Sequence, residues 1–241
     1  MCCSNKIAAV VVTYNRKKLL GECLQSLLKQ TSPLDCIIVV DNASTDGTAE
    51  FLKENNYFDN PIINYVLIPE NTGGAGGFHA GVRLGYEKGF EWLWLMDDDA
   101  EPKEDALEKM EPYFKESNIS ALANLKVDNK GNILYKYRGY FFFEDVFKHI
   151  VKPIKDNEIK DLKYIEIDHA SFVGILINRK AIEMIGFPKR EFFIHYDDLE
   201  YCIRLRQVGK ILLICDSIII HKEELKKDLI EKKYFGLCLR G

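Results

Sequence analysis

An apolar run, Trp92-Leu93-Trp94-Leu95-Met96, ends abruptly in Asp97, Asp98 and Asp99. Three carboxylates at the end of a dry strand repel one another at neutral pH. A divalent cation held by their oxygens, with a phosphate on its far side, relieves that repulsion. The alternative is a solvated turn in which one aspartate caps the helix that follows. Farther along, "FFIHYDDLEYCIRLRQVG" sets Asp197 and Asp198 at the start of a helix whose apolar face is Leu199, Cys202, Ile203 and Leu205. One of these carboxylates, aimed into a crevice, has the chemistry of a general base for a substrate hydroxyl. The plainer reading is a pair of first-turn acids that complement the helix dipole, with Glu200 and Arg204 as an ordinary i, i+4 pair. The apolar run "ILLICDSIIIH" ends in His221. A lone histidine at a strand end is commonly a surface residue, whereas an imidazole added to carboxylate oxygens makes a donor set for Mn²⁺, with Mg²⁺ as the alternative.

The elements that must position these groups follow from periodicity. Short β-branched runs, "IAAVVVTY", "CIIVVDNA", "INYVLIP" and "EWLWLMDD", alternate with helical patterns, the signature of parallel strands joined by crossover helices. Between the first two, Leu19, Leu20, Cys23, Leu24, Leu27 and Leu28 recur at three- and four-residue steps, with Asn15 as the expected N-cap. Pro102 is expected to open a helix over "PKEDALEKMEPYFKES". The second half reads as a hairpin around Asn129 to Asn132 and a Lys-rich stretch to about Lys163. Then come "YIEIDHASFVGILINR", a helix "KAIEMIG", the helix carrying Asp197 and Asp198, and a last strand to His221. In an open parallel sheet, ligands bind outside the carboxyl ends of the strands. Thr13, Asn15 and Arg16, then Asp41 and Asn42, then the three aspartates therefore share one address.

Composition narrows the function. With 241 residues, 47% of them hydrophobic and 29% charged, the chain buries one substantial core. A net charge of −4 gives no general reason to bind nucleic acid. Seven cysteines without a C-x-x-C pair read as reduced thiols of a cytoplasmic protein. The start lacks a signal-peptide pattern, and no apolar run reaches the ~18 residues of a membrane span, so any membrane contact is peripheral. The glycine stretch "ENTGGAGGFHAG" misses the dinucleotide fingerprint because His79 stands where Gly or Ala is needed, which weakens a nicotinamide oxidoreductase reading. There is no P-loop motif either. The glycines are left as backbone that approaches a ligand closely or as a flexible turn.

Taken in order, "VVVTYNR", "VVDNASTDGT", "PENTGGAGGF", "WLWLMDDDAEP", "FFIHYDDLEYCIRL" and "IIIHK" resemble the inverting family 2 glycosyltransferases of the GT-A fold. The likeness runs from about Lys6 to Lys222 and is strongest to the bacterial rhamnosyltransferase-like and galactofuranosyltransferase-like branch. It implies an α/β, Rossmann-like, mostly parallel sheet flanked by helices, with a smaller acceptor-side portion. One domain spans 1–241: a nucleotide-binding half at 1–101, an acceptor and catalytic half at 102–222, and a tail at 223–241. By resemblance, Thr13, Asn15, Asp41, Asn42, Asn71 and Gly74 contact or border the nucleoside of a sugar-nucleotide donor. Asp97 lies near the ribose and metal, Asp99 ligates the metal directly, and His221 completes the coordination of Mn²⁺ or Mg²⁺. Asp198 aligns with the family's base; Asp197 stands where many relatives carry glutamate, and it is the second catalytic candidate.

The implied reaction moves a sugar from a UDP- or dTDP-linked donor, galactofuranose or rhamnose, to a hydroxyl of a growing cell-surface glycan, lipid-linked or free, on the cytoplasmic side. The other reading is a non-catalytic nucleotide-sugar binding or assembly subunit with an incomplete acceptor site. The tail, with Lys222, Lys226, Lys227, Lys232 and Lys233 beside Leu225, Leu229, Ile230 and Phe235, reads as a solvated segment, with an amphipathic helix on the membrane surface as the alternative.

Overall fold

The computed structural model describes residues 6–143 and 151–222; the tail expectation lies outside the described residues. In chain order the elements are β1 (Ile7–Thr13), α1 (Lys17–Leu28), β2 (Cys36–Asp41), α2 (Thr48–Glu54), β3 (Ile63–Leu67), α3 (Gly73–Glu87), β4 (Trp92–Asp97), β5 (Ala100–Pro102) and β6 (Ile119–Val127). They continue as β7 (Arg138–Phe141), β8 (Val151–Pro153), α4 (Asp156–Ile159), β9 (Tyr164–Ile167), β10 (His169–Ala170), β11 (Ile175–Asn178), α5 (Arg179–Ile185), α6 (Asp197–Val208) and β12 (Lys210–His221).

The main sheet runs β3-β2-β1-β4-β11-β6-β12-β5, with β9 also on β12. Strands β1 to β4, β6 and β12 point one way, and β5, β9 and β11 the other. The insertion of antiparallel β11 between β4 and β6 is the main departure from a purely parallel sheet. A separate three-stranded sheet, β10-β7-β8, is formed within the second half of the chain. Every residue of β1 and β2 is buried, as both-face burial between helix layers requires. Two apolar layers result, one with Val10, Val12, Leu93 and Leu95, the other with Val11, Leu24, Trp94 and Met96.

Helix α3 falls on the glycine stretch. Glycine is a poor helix former, and tertiary packing overrides that preference here. A methyl at Gly77, Gly81 or Gly85 would collide with Val12, Val10 or Leu93, so the three glycines, one turn apart, let the helix axis settle directly on the sheet. The site at the strand ends therefore sits on a closely packed base.

Two local expectations change. The helix expected from Pro102 is absent: Ala100–Pro102 pairs antiparallel with Ile219–His221 at the sheet edge, where proline is tolerated. Only turns and a short 3-10 segment, Glu111–Tyr113, follow. Pro112 lies within that stretch and cannot donate to a helical ladder. Asn15 is not the N-cap of α1; Arg16 takes that place, and Asn15 adopts φ 56° and turns its side chain to Thr45. The "YIEIDHASFVGILINR" segment divides into β9, β10 and β11 in two sheets. The hairpin expected around Asn129 to Asn132 is present: Val127 bridges Ile133 antiparallel, and Asp128 N–H donates to Asn132 O at 2.9 Å.

Candidate active site

The carboxyl ends of β1, β2 and β4 lie side by side, because Thr13 pairs with Asp41 and Val12 with Asp97. At the β2 end, buried Asp41 accepts from Ser44 N–H at 2.8 Å and from the Tyr65 hydroxyl at 2.7 Å. Buried Asn42 donates to Asn71 Oδ1 at 3.0 Å and to Gly73 O at 2.9 Å, and accepts from Thr72 N–H at 2.9 Å. Asn15 Oδ1 takes Thr45 N–H at 2.7 Å. Six of the expected nucleotide-side positions, Thr13, Asn15, Asp41, Asn42, Asn71 and Gly74, thus gather around the β1 and β2 ends and the first turn of α3. A Cβ at Gly74 would meet open space, so nothing in the protein requires glycine there.

The three aspartates take three separate environments. Thr13 donates to Asp98 Oδ2 at 2.7 Å, and the exposed Arg16 places Nη1 3.3 Å from Asp98 Oδ1 and 2.8 Å from Asp99 Oδ2. Asp99 Oδ1 instead faces His221 Nε2 at 3.1 Å. One atom each from Asp97, Asp99 and His221 lie within 4.8 Å of one another. His221 arrives because β12 pairs with β5 in register, His221 opposite Ala100, and Lys222 N–H closes on Asp99 O at 2.9 Å.

Electrostatics explains why this grouping calls for a cation. Burial, and then the neighbouring Asp99 and Asp98, push the Asp97 carboxyl up to about 8. Burial raises Asp98 to about 6 against the pull of Thr13 and Arg16. For Asp99 burial is outweighed by His221, Arg16 and Lys126, and its carboxyl stays below the ordinary range. Two carboxylates and a neutral imidazole fit Mn²⁺ or Mg²⁺: Asp99 Oδ1 and His221 Nε2 both carry lone pairs when the ring is neutral.

Asp198 does not join this group. It lines an adjoining cavity of about 350 Å³ with Lys136, Tyr137, His169, Ser171, His195 and Tyr196. The Tyr137 ring is common to both places, because it also packs edge-on to His221 at 6.1 Å between centroids. Burial and the adjacent Asp197 raise Asp198 to about 6, while Leu199 N–H, donating to Oδ1 at 2.7 Å, lowers it. Asp197 is buried, and burial raises its carboxyl too. The loop before α6 is strained: Phe193, His195 and Tyr196 all have positive φ, at 59°, 72° and 64°. It is anchored by the Phe193 carbonyl, which accepts from Ala75 N–H of α3 at 3.1 Å.

Several participants carry no sequence motif. Arg16 was legible only as a polar strand end. Buried Arg138 holds the cavity wall by donating to Asn124 O, Tyr137 O, Val173 O and Ser171 Oγ at 2.7–3.2 Å, and burial lowers it to about 10. Lys126, Tyr65 and Tyr137 were also missed. For Lys126 one signal exists, a cation inside the apolar run "ISALANLKV".

Comparison with known proteins agrees with this geometry. The chain is 22% identical over 222 residues to the dTDP-rhamnosyl transferase RfbF of Shigella flexneri, covering 89% of this chain and 68% of RfbF. It is 25% identical over 210 residues to the galactofuranosyltransferase GlfT1 of Mycolicibacterium smegmatis, covering 84% and 66%. The crystal structure of GalNAc-T7 with UDP, GalNAc and Mn²⁺ superposes with a TM-score of 0.71 at 16% identity, over 94% of this chain and 45% of that one. The chain thus spans about two thirds of these relatives and under half of that enzyme, and the shared architecture is the GT-A fold. With the pattern of glycosyl transferase family 2 matched over residues 8–186, the chain belongs to that family.

Proposed function

We propose that this chain is the catalytic module of a metal-dependent inverting glycosyltransferase. It takes a UDP- or dTDP-linked sugar, galactofuranose or rhamnose, and glycosylates a hydroxyl of a growing, lipid-linked or free, cell-surface glycan. The observation that carries the reading is the meeting of Asp97, Asp99 and His221 within 4.8 Å, beside the cavity that holds Asp198. One centre there suits a diphosphate, the other an acceptor hydroxyl.

In this mechanism Asp41, Asn42, Asn15 and Asn71 bind the nucleoside at the β1 and β2 ends. Asp97, Asp99 and His221 would hold Mn²⁺ or Mg²⁺, and a bound cation there would supply positive charge to the departing diphosphate. Asp198 accepts the proton of the acceptor hydroxyl while that oxygen attacks the anomeric carbon. The bond to the diphosphate oxygen breaks, its electron pair leaves with the nucleotide, and the configuration at carbon inverts. Asp197 flanks the base and raises its proton affinity.

A screen of UDP- and dTDP-sugars for Mn²⁺-dependent nucleotide release tests the reading. Release from at least one donor, abolished by EDTA, is the expected result. Binding of donors with no turnover under any acceptor would instead favour the nucleotide-sugar binding subunit. Failure of any nucleotide sugar to bind removes both.

A further inference from the structure

Tyr65 sits on β3, the edge strand of the main sheet, opposite Val39 of β2. Its hydroxyl reaches two residues farther along β2 and donates to Asp41 Oδ2 at 2.7 Å. Asp41 is 1% exposed, and a carboxylate taken out of water is costly unless donors meet it. Its other oxygen accepts Ser44 N–H at 2.8 Å. Ser44 Oγ in turn accepts Asn15 N–H at 2.9 Å, and Asn15 Oδ1 accepts Thr45 N–H at 2.7 Å. A continuous relay therefore runs from the β3 edge, through the loop after β2, to the end of β1. Two residues in the segments it crosses, Asn15 and Ala43, hold φ of 56° and 63°. Left-handed backbone at a residue with a side chain persists only where surrounding contacts over-determine it. Within this relay the Tyr65 hydroxyl is the donor that comes from outside both segments. Burial, and then the Asp41 carboxylate, push that hydroxyl well above the ordinary tyrosine range, so it remains a donor at any physiological pH.

We propose that Tyr65 is a positioning residue for the donor's nucleoside: its hydroxyl fixes Asp41, and through Asp41 and Ser44 it sets the two strand ends that meet base and ribose. The proposal rests on the reading of Asp41, Asn42 and Asn15 as the nucleoside contacts. A carboxylate held by two donors keeps its remaining lone pairs in fixed directions, which is what recognition of a ligand N–H or O–H requires. Without the phenol, Asp41 keeps Ser44 alone and is free to turn about its side-chain bonds. Tyr65 belongs neither to the group of Asp97, Asp99 and His221 nor to the cavity of Asp198. Its loss should therefore weaken nucleoside binding and spare the metal and the base.

The test is Tyr65→Phe, which keeps the ring against Phe58, 5.3 Å away between centroids, and removes only the hydroxyl. Calorimetry of UDP and dTDP in saturating Mn²⁺ is expected to show affinity lower by about tenfold, the scale of one hydrogen bond to a charged group. Mn²⁺ alone, followed by electron paramagnetic resonance, should bind as in the wild type. In turnover, KM for the donor should rise with kcat little changed. A hydroxyl that served the fold alone would lower the melting temperature and leave nucleotide affinity where it was. That result overturns the proposal, and so does an equal loss of Mn²⁺ and nucleotide affinity. If Tyr65→Phe does not fold, Ser44→Ala, which cuts the relay at Asn15, decides: weaker nucleotide binding with unchanged Mn²⁺ binding supports the relay, and unchanged nucleotide binding overturns it. A wild type that binds neither UDP nor dTDP would sink the nucleoside reading and the proposal with it. Nucleotide binding that is indifferent to Tyr65→Phe removes the proposal alone and leaves the site in place.

Discussion

His221 Nε2 stands 3.1 Å from Asp99 Oδ1, joining the end of the last strand to the acidic turn after β4. The contact is made by topology: the β5–β12 ladder sets His221 opposite Ala100 and so beside Asp99. Replacing Asp99 by Ala removes one oxygen donor from the group and a partner from Arg16. Mn²⁺-supported binding of UDP or dTDP is expected to vanish, while the protein in EDTA stays folded with a modestly lower melting temperature, because the variant gives up the favourable contacts of ionised Asp99 with His221 and Arg16. Calorimetry with and without EDTA checks this; equal affinity in wild type and variant would remove Asp99 from the metal site.

The raised carboxyls give the metal-free protein a distinctive pH dependence. A carboxyl whose folded value lies above its unfolded ~3.9 stabilises the fold at low pH and loses that contribution as pH rises through the folded value. Asp97, at about 8, acts this way up to about pH 8. His169, lowered to about 4, works in the opposite sense below the ordinary ~6.5 of histidine. Between about pH 6.5 and pH 8, then, the protein in EDTA is expected to lose stability, and saturating Mn²⁺ should abolish that loss. Thermal melts across this window read it out; a rise in stability with pH in EDTA would contradict it.

For Asp198 the expected phenotype separates chemistry from binding. Asp198→Asn keeps the side chain's shape and its place beside Leu199 but cannot take a proton. Transfer should fall by about 10²- to 10⁴-fold, the usual contribution of a general base, with donor affinity retained. In the wild type, transfer should decline as pH drops through about 6, where Asp198 becomes protonated. Steady-state kinetics of nucleotide release against pH measures both. Unchanged turnover in Asp198→Asn would move the base elsewhere, with Asp197 the first candidate.

What the sequence made legible was the pattern of strands and the chemistry at their ends. β1, β2 and β4 are continuous apolar runs, and the polar residues that finish them had to gather at one edge once the strands were parallel. What it hid was set by contacts distant in the chain. Gly77, Gly81 and Gly85 look like a flexible turn until Val12, Val10 and Leu93 are known to lie beneath them. Pro102 looks like a helix start until β12 pairs with it. Tyr137 belongs to no motif, because its place comes from a ring that packs against His221 and also lines the Asp198 cavity.

Gly73 offers a last test, of the link between the two halves of the site. Its φ of +72° is costly for any residue with a side chain, and a methyl there would fall on the Phe193 carbonyl. That carbonyl is the anchor accepting Ala75 N–H, and it lies in the strained loop leading to Asp197 and Asp198. Gly73→Ala is therefore expected to cost about 1–3 kcal/mol of stability, measured by urea unfolding. It should also lower the rate of transfer more than it weakens donor binding, because the loop that carries the base is displaced while Asp41 and Asn15 keep their hydrogen bonds to Ser44, Tyr65 and Thr45. The neighbouring Gly74→Ala, whose methyl meets open space, serves as the control and should leave stability within about 1 kcal/mol of wild type. Equal effects of the two substitutions would show that the Phe193 anchor does not hold the catalytic loop.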